Sequence, residues 1–410
     1  MNTALYAIAL QSALGIASPR LVPLFKTFAS VEAIFSASEE ELKRCGYLSE
    51  SQVKNILNPS LEKSRNILIA CKNLGIEIIP FGSKKYPARL AAISDPPCVL
   101  YVLGDFPDMD NEVAVAMVGT RHATKYGYQL ARKISFDLSA AGAVIVSGGA
   151  IGIDTACHTG ALEAGGKTVA VLGCGIFANY LMRNEDLRMS ISKNGALVSE
   201  FPPRTPVQKF SFPVRNRILS GLSLGTAVIE AGEKSGALST ASHAAEQGRD
   251  VFVLPGNILE PTFQGSNRLL RDGAKPLFSA VDILEEYASM FEGKLDFSKL
   301  IPDENAVKSP AAAAGSRAAI PSRQTDNTKA RTPEREKNFL PSPPKGLSED
   351  GLLVYNSFKN SRMTLDELIV CCGLSTRKVL CALTELELFG TVRSASGGVY
   401  EIIGKNDTSF

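Results

Sequence analysis

The sequence predicts an α/β core, a doubly wound and mostly parallel sheet, with a small all-α region before it and a winged helix after it. Three observations carry this. Between about residues 76 and 287, six short runs are apolar throughout: Val113 to Val118, Val144 to Val146, Val169 to Leu172, Leu197 to Ser199, Ala227 to Ile229 and Val251 to Leu254. A strand that is apolar on both faces has to be covered on both, which is the situation of a parallel sheet between helical layers. Stretches of about a dozen residues with helical periodicity separate several of these runs, giving repeated βαβ units. Several strands end in loops of small residues, where an open parallel sheet binds its ligands.

The elements follow in order. Before residue 72, apolar residues recur at helical spacing, as in Leu21, Leu24, Phe25 and Phe28, then Val31, Ile34 and Phe35. Ser38 followed by Glu39, Glu40 and Glu41 reads as a capped helix start with acids in the first turn. The spacing resembles helix-hairpin-helix or SAM-like modules. Ser18-Pro19-Arg20 stands where a Gly-x-Gly hairpin would bring backbone amides to phosphate, so a packing or partner role is expected there. Residues 293–347 are rich in Pro, Ala, Ser and Lys, including Pro310 to Gly315 and Pro341 to Pro344, and read as a disordered tether. Beyond it, Leu352 to Phe358, Leu365 to Val370 and Ser375 to Phe389 suggest three helices, and Gly390 to Ile403 a hairpin, together a winged helix. The expected boundaries are 1–72, 73–292, 293–347 and 348–410. The candidate recognition helix offers only Arg377 and Lys378 before leucines take over, which leaves weak duplex affinity and protein binding both open.

Composition narrows the class. With 45% hydrophobic and 21% charged residues in 410, the chain is globular and long enough for two or three domains. No apolar run reaches the roughly 18 residues that span a bilayer, and no leader is evident, so a cytoplasmic protein is expected. The 8 cysteines are scattered without a Cys-x-x-Cys, which suggests neither a disulfide framework nor a zinc cluster. Net charge is +2, but residues 294–346 hold 10 Lys and Arg against 6 Asp and Glu, leaving 34 against 36 elsewhere. Any anion site must therefore come from local arrangement and not from bulk charge.

Local arrangement supplies one. The loops Gly119-Thr120-Arg121, Ser147-Gly148-Gly149-Ala150-Ile151-Gly152 and Gly173-Cys174-Gly175, with Gly256, follow strands, where glycine lets backbone N–H groups approach an anion and the next helix offers its positive end. Arg121 projects over that edge and adds charge. Outside the core edge, Phe212-Pro-Val-Arg215-Asn216-Arg217 combines an aromatic ring with two guanidinium groups, the pair that stacks a base and clamps phosphate.

Other chemistries fail on context. Gly160 to Thr168 imitates a phosphate-binding Walker loop, but five residues separate its glycines and it runs from helix to strand. Gly221 to Gly225 has the letters of a nucleophile elbow around Ser223, yet precedes its strand. Ser147-Gly148-Gly149 departs from the dinucleotide fingerprint, and no acid ends the following strand, so no cofactor is expected. Asp154 and His158 sit at i and i+4, read here as a helix cap and a packed histidine and not as metal ligands. No catalytic residue or metal site is assigned.

With these pieces in place, the stretch from about Ser83 to Phe278 resembles the DNA-processing protein A family, also called Smf. The resemblance is carried by Val118 to Arg121, Ser147 to Asp154 with His158, Ala170 to Gly175, Ser199-Glu200, Phe212 to Ser223, Glu230-Ala231, Ser235 to Ala241, Glu246 to Arg249, Leu254 to Gly256 and Gly265-Ser266-Asn267. It implies a Rossmann-like core that binds single-stranded DNA, self-association as a homodimer, and loading of RecA recombinase onto protected incoming strands during natural transformation. Carried over by position, Arg121, Lys209, Arg215 and Arg217 hold phosphates and Phe212 stacks a base. Asn216, Ser147, Gly148, Gly149, Gly152, Ser235, Gly236, Ser266 and Asn267 complete the expected interface. Thr120 stands where Ser is usual, Gly149 where a larger residue often sits, and Tyr180-Leu181 where Tyr-Pro is common.

Two rivals remain at this stage. A related Rossmann-like family hydrolyses nucleoside monophosphates with Pro-Gly-Gly-x-Gly-Thr-x-x-Glu. Here Ser235 to Thr240 fills the comparable loop without that glutamate, and Glu230 at the strand end is better placed to order the loop. The third reading is a nucleotide-sensing module with the wing as its output.

Overall fold

The computed structural model of the protein describes residues 2–180, 184–300, 347–358, 362–374, 376–395 and 399–402. The expected tether, Leu181 and the tip of the C-terminal hairpin lie outside the described residues, apart from the tether's ends. The chain forms two compact units, within residues 1–313 and 314–410.

The first unit begins with six helices: α1 (Thr3–Leu14), α2 (Leu21–Phe28), α3 (Val31–Ser36), α4 (Glu39–Arg44), α5 (Glu50–Leu57) and α6 (Leu61–Asn73). Side-chain caps start several of them. Ser38 and Ser49 form reciprocal capping boxes with Glu41 and Gln52. Their apolar faces, including Ile8, Leu10, Leu24, Ile34 and Ile56, share one core with Val99, Tyr101 and Leu197 of the sheet.

The sheet has nine strands: β1 (Glu77–Pro80), β2 (Val99–Gly104), β3 (Ala114–Gly119), β4 (Val144–Ser147), β5 (Thr168–Leu172), β6 (Gly195–Ser199), β7 (Gly225–Glu230), β8 (Asp250–Val253) and β9 (Lys275–Pro276). Their order is β1-β2-β6-β5-β4-β3-β7-β8-β9. From β6 to β9 every pairing is parallel, whereas β1 with β2 and β2 with β6 are antiparallel. All six strands expected from the sequence are present. Three were not anticipated: β2, as apolar as its neighbours, and the edge strands β1 and β9, which have polar residues and a proline in place of a continuous apolar run.

Helices cover both faces. Val115 and Met117 point into the layer of α8 (Lys125–Ala140) and α9 (Ile153–Glu163), with α14 (Val281–Tyr287) beyond. Ala114 and Val118 point into the layer of α11 (Ser211–Gly221), α12 (Gly236–Glu246) and the short α7 (Ala88–Ala91). Helices α10 (Glu185–Lys193) and α13 (Gln264–Arg271) complete the connections. The chain runs β3 to β6 on one side of β3, then returns to β7 on the other. The switch point therefore lies between the carboxyl ends of β3 and β7, where the register slips at Val118 and Gly119.

The second unit is a winged helix: α15 (Glu349–Asn356), α16 (Leu365–Cys372) and α17 (Thr376–Leu388) pack on an antiparallel sheet of β10 (Arg362–Thr364), β12 (Val399–Ile402) and β11 (Val392–Ala395). Val354, Leu368, Val379, Leu383 and Leu386 form its core.

Candidate nucleic-acid interface

At the switch point opens a cavity of about 490 Å³. Five pieces of chain build it, Pro261 and Thr262 being one. Val118 to His122 leave β3, Ala150 and Asp154 come from the β4 to α9 connection, and Gly232 to Thr240 from the β7 to α12 connection. One face of α11 supplies Phe212, Arg215, Asn216 and Leu219. These last four are spaced i, i+3, i+4 and i+7, which puts them on one helical stripe. Helices α9 and α12, each 11 residues long, begin at the cavity and direct the positive ends of their dipoles there.

The ring of Phe212 is the centrepiece. The Arg121 guanidinium lies 4.7 Å from its centroid, and Tyr180 meets it at 5.6 Å with a 48° tilt. Underneath is Gly173, where a Cβ would come within 3.1 Å of the ring. Phe212 is half-buried and Arg121 exposed, so the pair forms a stacking surface open to solvent.

Arg215 forms the floor. It is buried, and its Nη1 donates to the carbonyls of Gly148, at 2.8 Å, and of Val171. Burial lowers its pKa, opposed by the nearby Asp154 carboxylate. Burial likewise raises the pKa of Asp154, opposed first by Arg215. Gly148 lies between them, and a Cβ there would overlap both the guanidinium and the carboxylate. The loop's glycine thus makes room for a buried charge pair beneath the cavity. Asn216 Nδ2 donates to the Gly236 carbonyl at 3.1 Å, tying α11 to the start of α12. Glu230 is fully buried and turned away: its carboxylate accepts from the backbone N–H of Thr124 at 3.0 Å and from the Thr124 hydroxyl at 2.8 Å. It orders the loop that carries Arg121, and not the Ser235 to Thr240 loop that the sequence suggested.

The other expected interface residues have other places. Arg217 faces away from the cavity, 2% exposed, with both carboxylate oxygens of Glu200 within 2.9 Å. The reason is angular: five residues after Phe212, it sits roughly 140° around the helix. Lys209 is exposed ahead of α11 and does not line the cavity. Ser147 is buried, its hydroxyl donating to the Met117 carbonyl at 2.6 Å. Gly149 and Gly152 adopt φ of 65° and 84°, and Gly152 is the N-cap of α9. Asp154 is thus not the cap but the helix's second residue, accepting from the Ala150 N–H at 3.3 Å. Ser235 and Gly236 do line the cavity, Ser235 capping α12. Ser266 is buried against the backbone of Ala231, and Asn267 brackets Gly256 through both its amide atoms. His158 is packed: its Nδ1 meets the Thr168 hydroxyl at 2.8 Å, and burial lowers its pKa to about 3. Asn184 donates to the Thr155 hydroxyl at 2.9 Å beside the Gly149 loop.

Sequence reasoning missed Lys234 and His122, both exposed cations or potential cations at the rim, and the Pro261-Thr262 wall. Lys234 directly precedes the Ser235 cap, a position that places it at the mouth of a helix-start anion site. Among the described residues no group of three or more His, Cys, Asp or Glu is arranged to hold a metal ion.

The sequence matches the model of the family described as DNA recombination-mediator protein A over residues 77–288, and that of the DprA winged helix domain over residues 340–398. The DNA processing protein DprA of Bacillus subtilis (strain 168) is 41% identical over 239 residues, 58% of this chain and 80% of that protein. Protein Smf of Synechocystis is 34% identical over 320 residues, 77% of each chain. The X-ray structure of DNA processing protein A from Streptococcus pneumoniae superposes with a TM-score of 0.62 at 32% identity, covering 70% of this chain and 99% of that one.

Proposed function

Because the chain belongs to the DNA recombination-mediator protein A family, we propose that it is a non-catalytic single-stranded DNA-binding protein of the cytoplasm. It protects incoming strands and loads RecA during natural transformation. The observation that carries this is the stacked pair Arg121 and Phe212 at the rim of a cavity floored by Arg215 and entered by two helix N-termini. A base takes the exposed face of the ring or of the guanidinium, and its phosphates meet Arg121, Lys234 and the backbone amides. Neither kind of contact reads base identity, so sequence preference is weak.

The non-catalytic reading is supported by what the carboxylates do. Asp154, the cavity's acidic residue, is engaged by the Ala150 amide and the Arg215 charge, and Glu230 is committed to Thr124. The domain organisation proposed is a helical region to residue 72, a DNA-binding core to 292, a tether to 347 and the winged helix beyond. RecA contact and homodimer formation rest on family membership. For the winged helix, protein binding is favoured over duplex affinity: Lys378 pairs with Asp350, and Arg362 and Arg393 both pair with Glu401. With Lys378 paired, the recognition helix is left with Arg377 as its one other basic residue, little charge for phosphate.

The test is affinity for a labelled single strand and its duplex over a salt series. The single strand should bind more tightly. Phe212→Ala should cost about 1 to 3 kcal/mol, and Arg121→Ala should reduce the slope of log K against log salt by about 0.7. Equal binding of both forms with unchanged variants removes the cavity as the DNA site. Release of free base from a nucleoside monophosphate would show that the protein is an enzyme.

A further inference from the structure

Arg217 belongs to the cavity helix yet faces away from the cavity. Its Nη2 donates to both oxygens of Glu200 at 2.9 Å, its Nε to Asp95 at 3.1 Å and its Nη1 to the Val214 carbonyl at 3.1 Å. Glu200 follows β6 directly, and both groups are 2% exposed. The same carboxylate accepts the backbone N–H of Ala17 at 3.2 Å. The Glu200 carbonyl accepts Gln11 Nε2 at 2.9 Å, and Gln11 Oε1 accepts the Tyr101 hydroxyl at 3.2 Å. One residue thus joins α11 to the turn between α1 and α2.

A second, independent observation lies in that turn. Ala17 has φ of 54°, a left-handed conformation that a residue with a Cβ adopts at a cost. Such strain persists where the surroundings over-determine it. Here the strained residue presents its amide to Glu200. Removing Glu200 takes two of Arg217's carboxylate contacts and leaves the buried guanidinium with Asp95 alone, so Arg217 would re-seat toward Asp95 and carry with it the short helix it rides on. Phe212 and Arg215 sit on the other face of that helix.

We propose that Gln11, Ala17 and Glu200 act through Arg217 as positioning residues for the DNA cavity: the N-terminal helices hold α11 at the rotation that brings Phe212 and Arg215 to the site. The inference rests on the DNA-binding reading of that cavity. It makes the helical region part of the binding apparatus although none of these residues lines the cavity.

The sign of one substitution separates positioning from plain electrostatics. Glu200→Gln removes a negative charge from a protein that binds a polyanion, and by charge alone it should tighten binding. Positioning predicts the reverse, with binding of a labelled oligothymidylate by the full chain weakened roughly three- to thirtyfold. Because no phosphate contact is lost, the slope of log K against log salt should stay that of the native chain. Arg217→Lys, which keeps the charge but not the fork of donors, should weaken binding alike. Gln11→Ala keeps every charge and carries the test if Glu200→Gln does not fold; it should weaken binding roughly twofold or more. Tighter or unchanged binding by a folded Glu200→Gln overturns the inference, as does a Gln11→Ala variant that loses melting temperature but no affinity. Failure of the native chain to bind the oligonucleotide overturns the reading of the cavity, and the inference with it.

Discussion

His158 shows how a single buried side chain ties stability to pH. Its Nδ1 meets the Thr168 hydroxyl, which itself donates to the Ile145 carbonyl at 2.8 Å, so Nδ1 carries the proton and the ring is neutral. Its pKa falls from 6.5 to about 3 through burial, with the Arg215 charge adding to the effect. In that window the unfolded chain binds the proton and the folded one does not. Stability therefore rises with pH across it and is fully present above 6.5. Urea unfolding should lose about 1.4 kcal/mol for each pH unit below 6.5 from this residue, and His158→Gln should flatten that slope; an unchanged slope would assign it elsewhere. Gly148 makes a different prediction. Gly148→Ala drives a Cβ into Arg215 and Asp154, so it should cost about 1 to 3 kcal/mol of stability and weaken single-strand binding by displacing the cavity floor. Binding at native strength would mean that Arg215 is not needed where it lies.

Among the elements, the loop before α8 concentrates several roles in Thr124. Its hydroxyl accepts from the Gly127 amide as the helix cap and donates to Glu230, whose carboxylate also takes the Thr124 amide. Thr124→Ala should cost about 1 to 2 kcal/mol in chemical unfolding, from a lost cap and a buried carboxylate short of a donor. Binding should weaken too, since Arg121 rides on the same loop. The elements of the core were legible because parallel strands are apolar on both sides, and the glycine loops because they follow such strands. The orientation of α11 was not. Phe212 and Arg217 look equivalent as neighbours in a hexapeptide, and what separates them is the helical turn together with a carboxylate 17 residues upstream that no local pattern connects to Arg217. Lys209 and Asn267 likewise lie off the cavity lining, Asn267 bonded to Gly256 instead. Ser38 as the cap of α4, being local, was read correctly.

For the molecule as a whole, near-neutral folded units mean that DNA affinity has to come from a few placed charges. Arg121 and Lys234 are the exposed Lys or Arg residues lining the cavity. Two or three phosphate contacts per cavity give a slope of log K against log salt of only about −1.4 to −2.1 on single strands. A much steeper slope, measured by titration from low to moderate salt, would place binding on the basic stretch of residues 294–346 instead. Among the described residues no helix is long and apolar enough to cross a membrane.

The switch point also has a history in time. Strand β3 pairs with β4 close by in the chain, but its other neighbour, β7, aligns Val115 with Gly225, more than a hundred residues later. Closing so long a loop is slow, and it waits for the chain to exist. On the ribosome, the glycine loops after β3 and β4 emerge well before α11 and α12, so for part of synthesis they face open solvent with no ring or dipole opposite. Binding capacity thus arrives late and all at once, when β7 docks. A nascent chain halted before that point already carries Arg121, Gly148, Phe212 and Arg215 and still has no site.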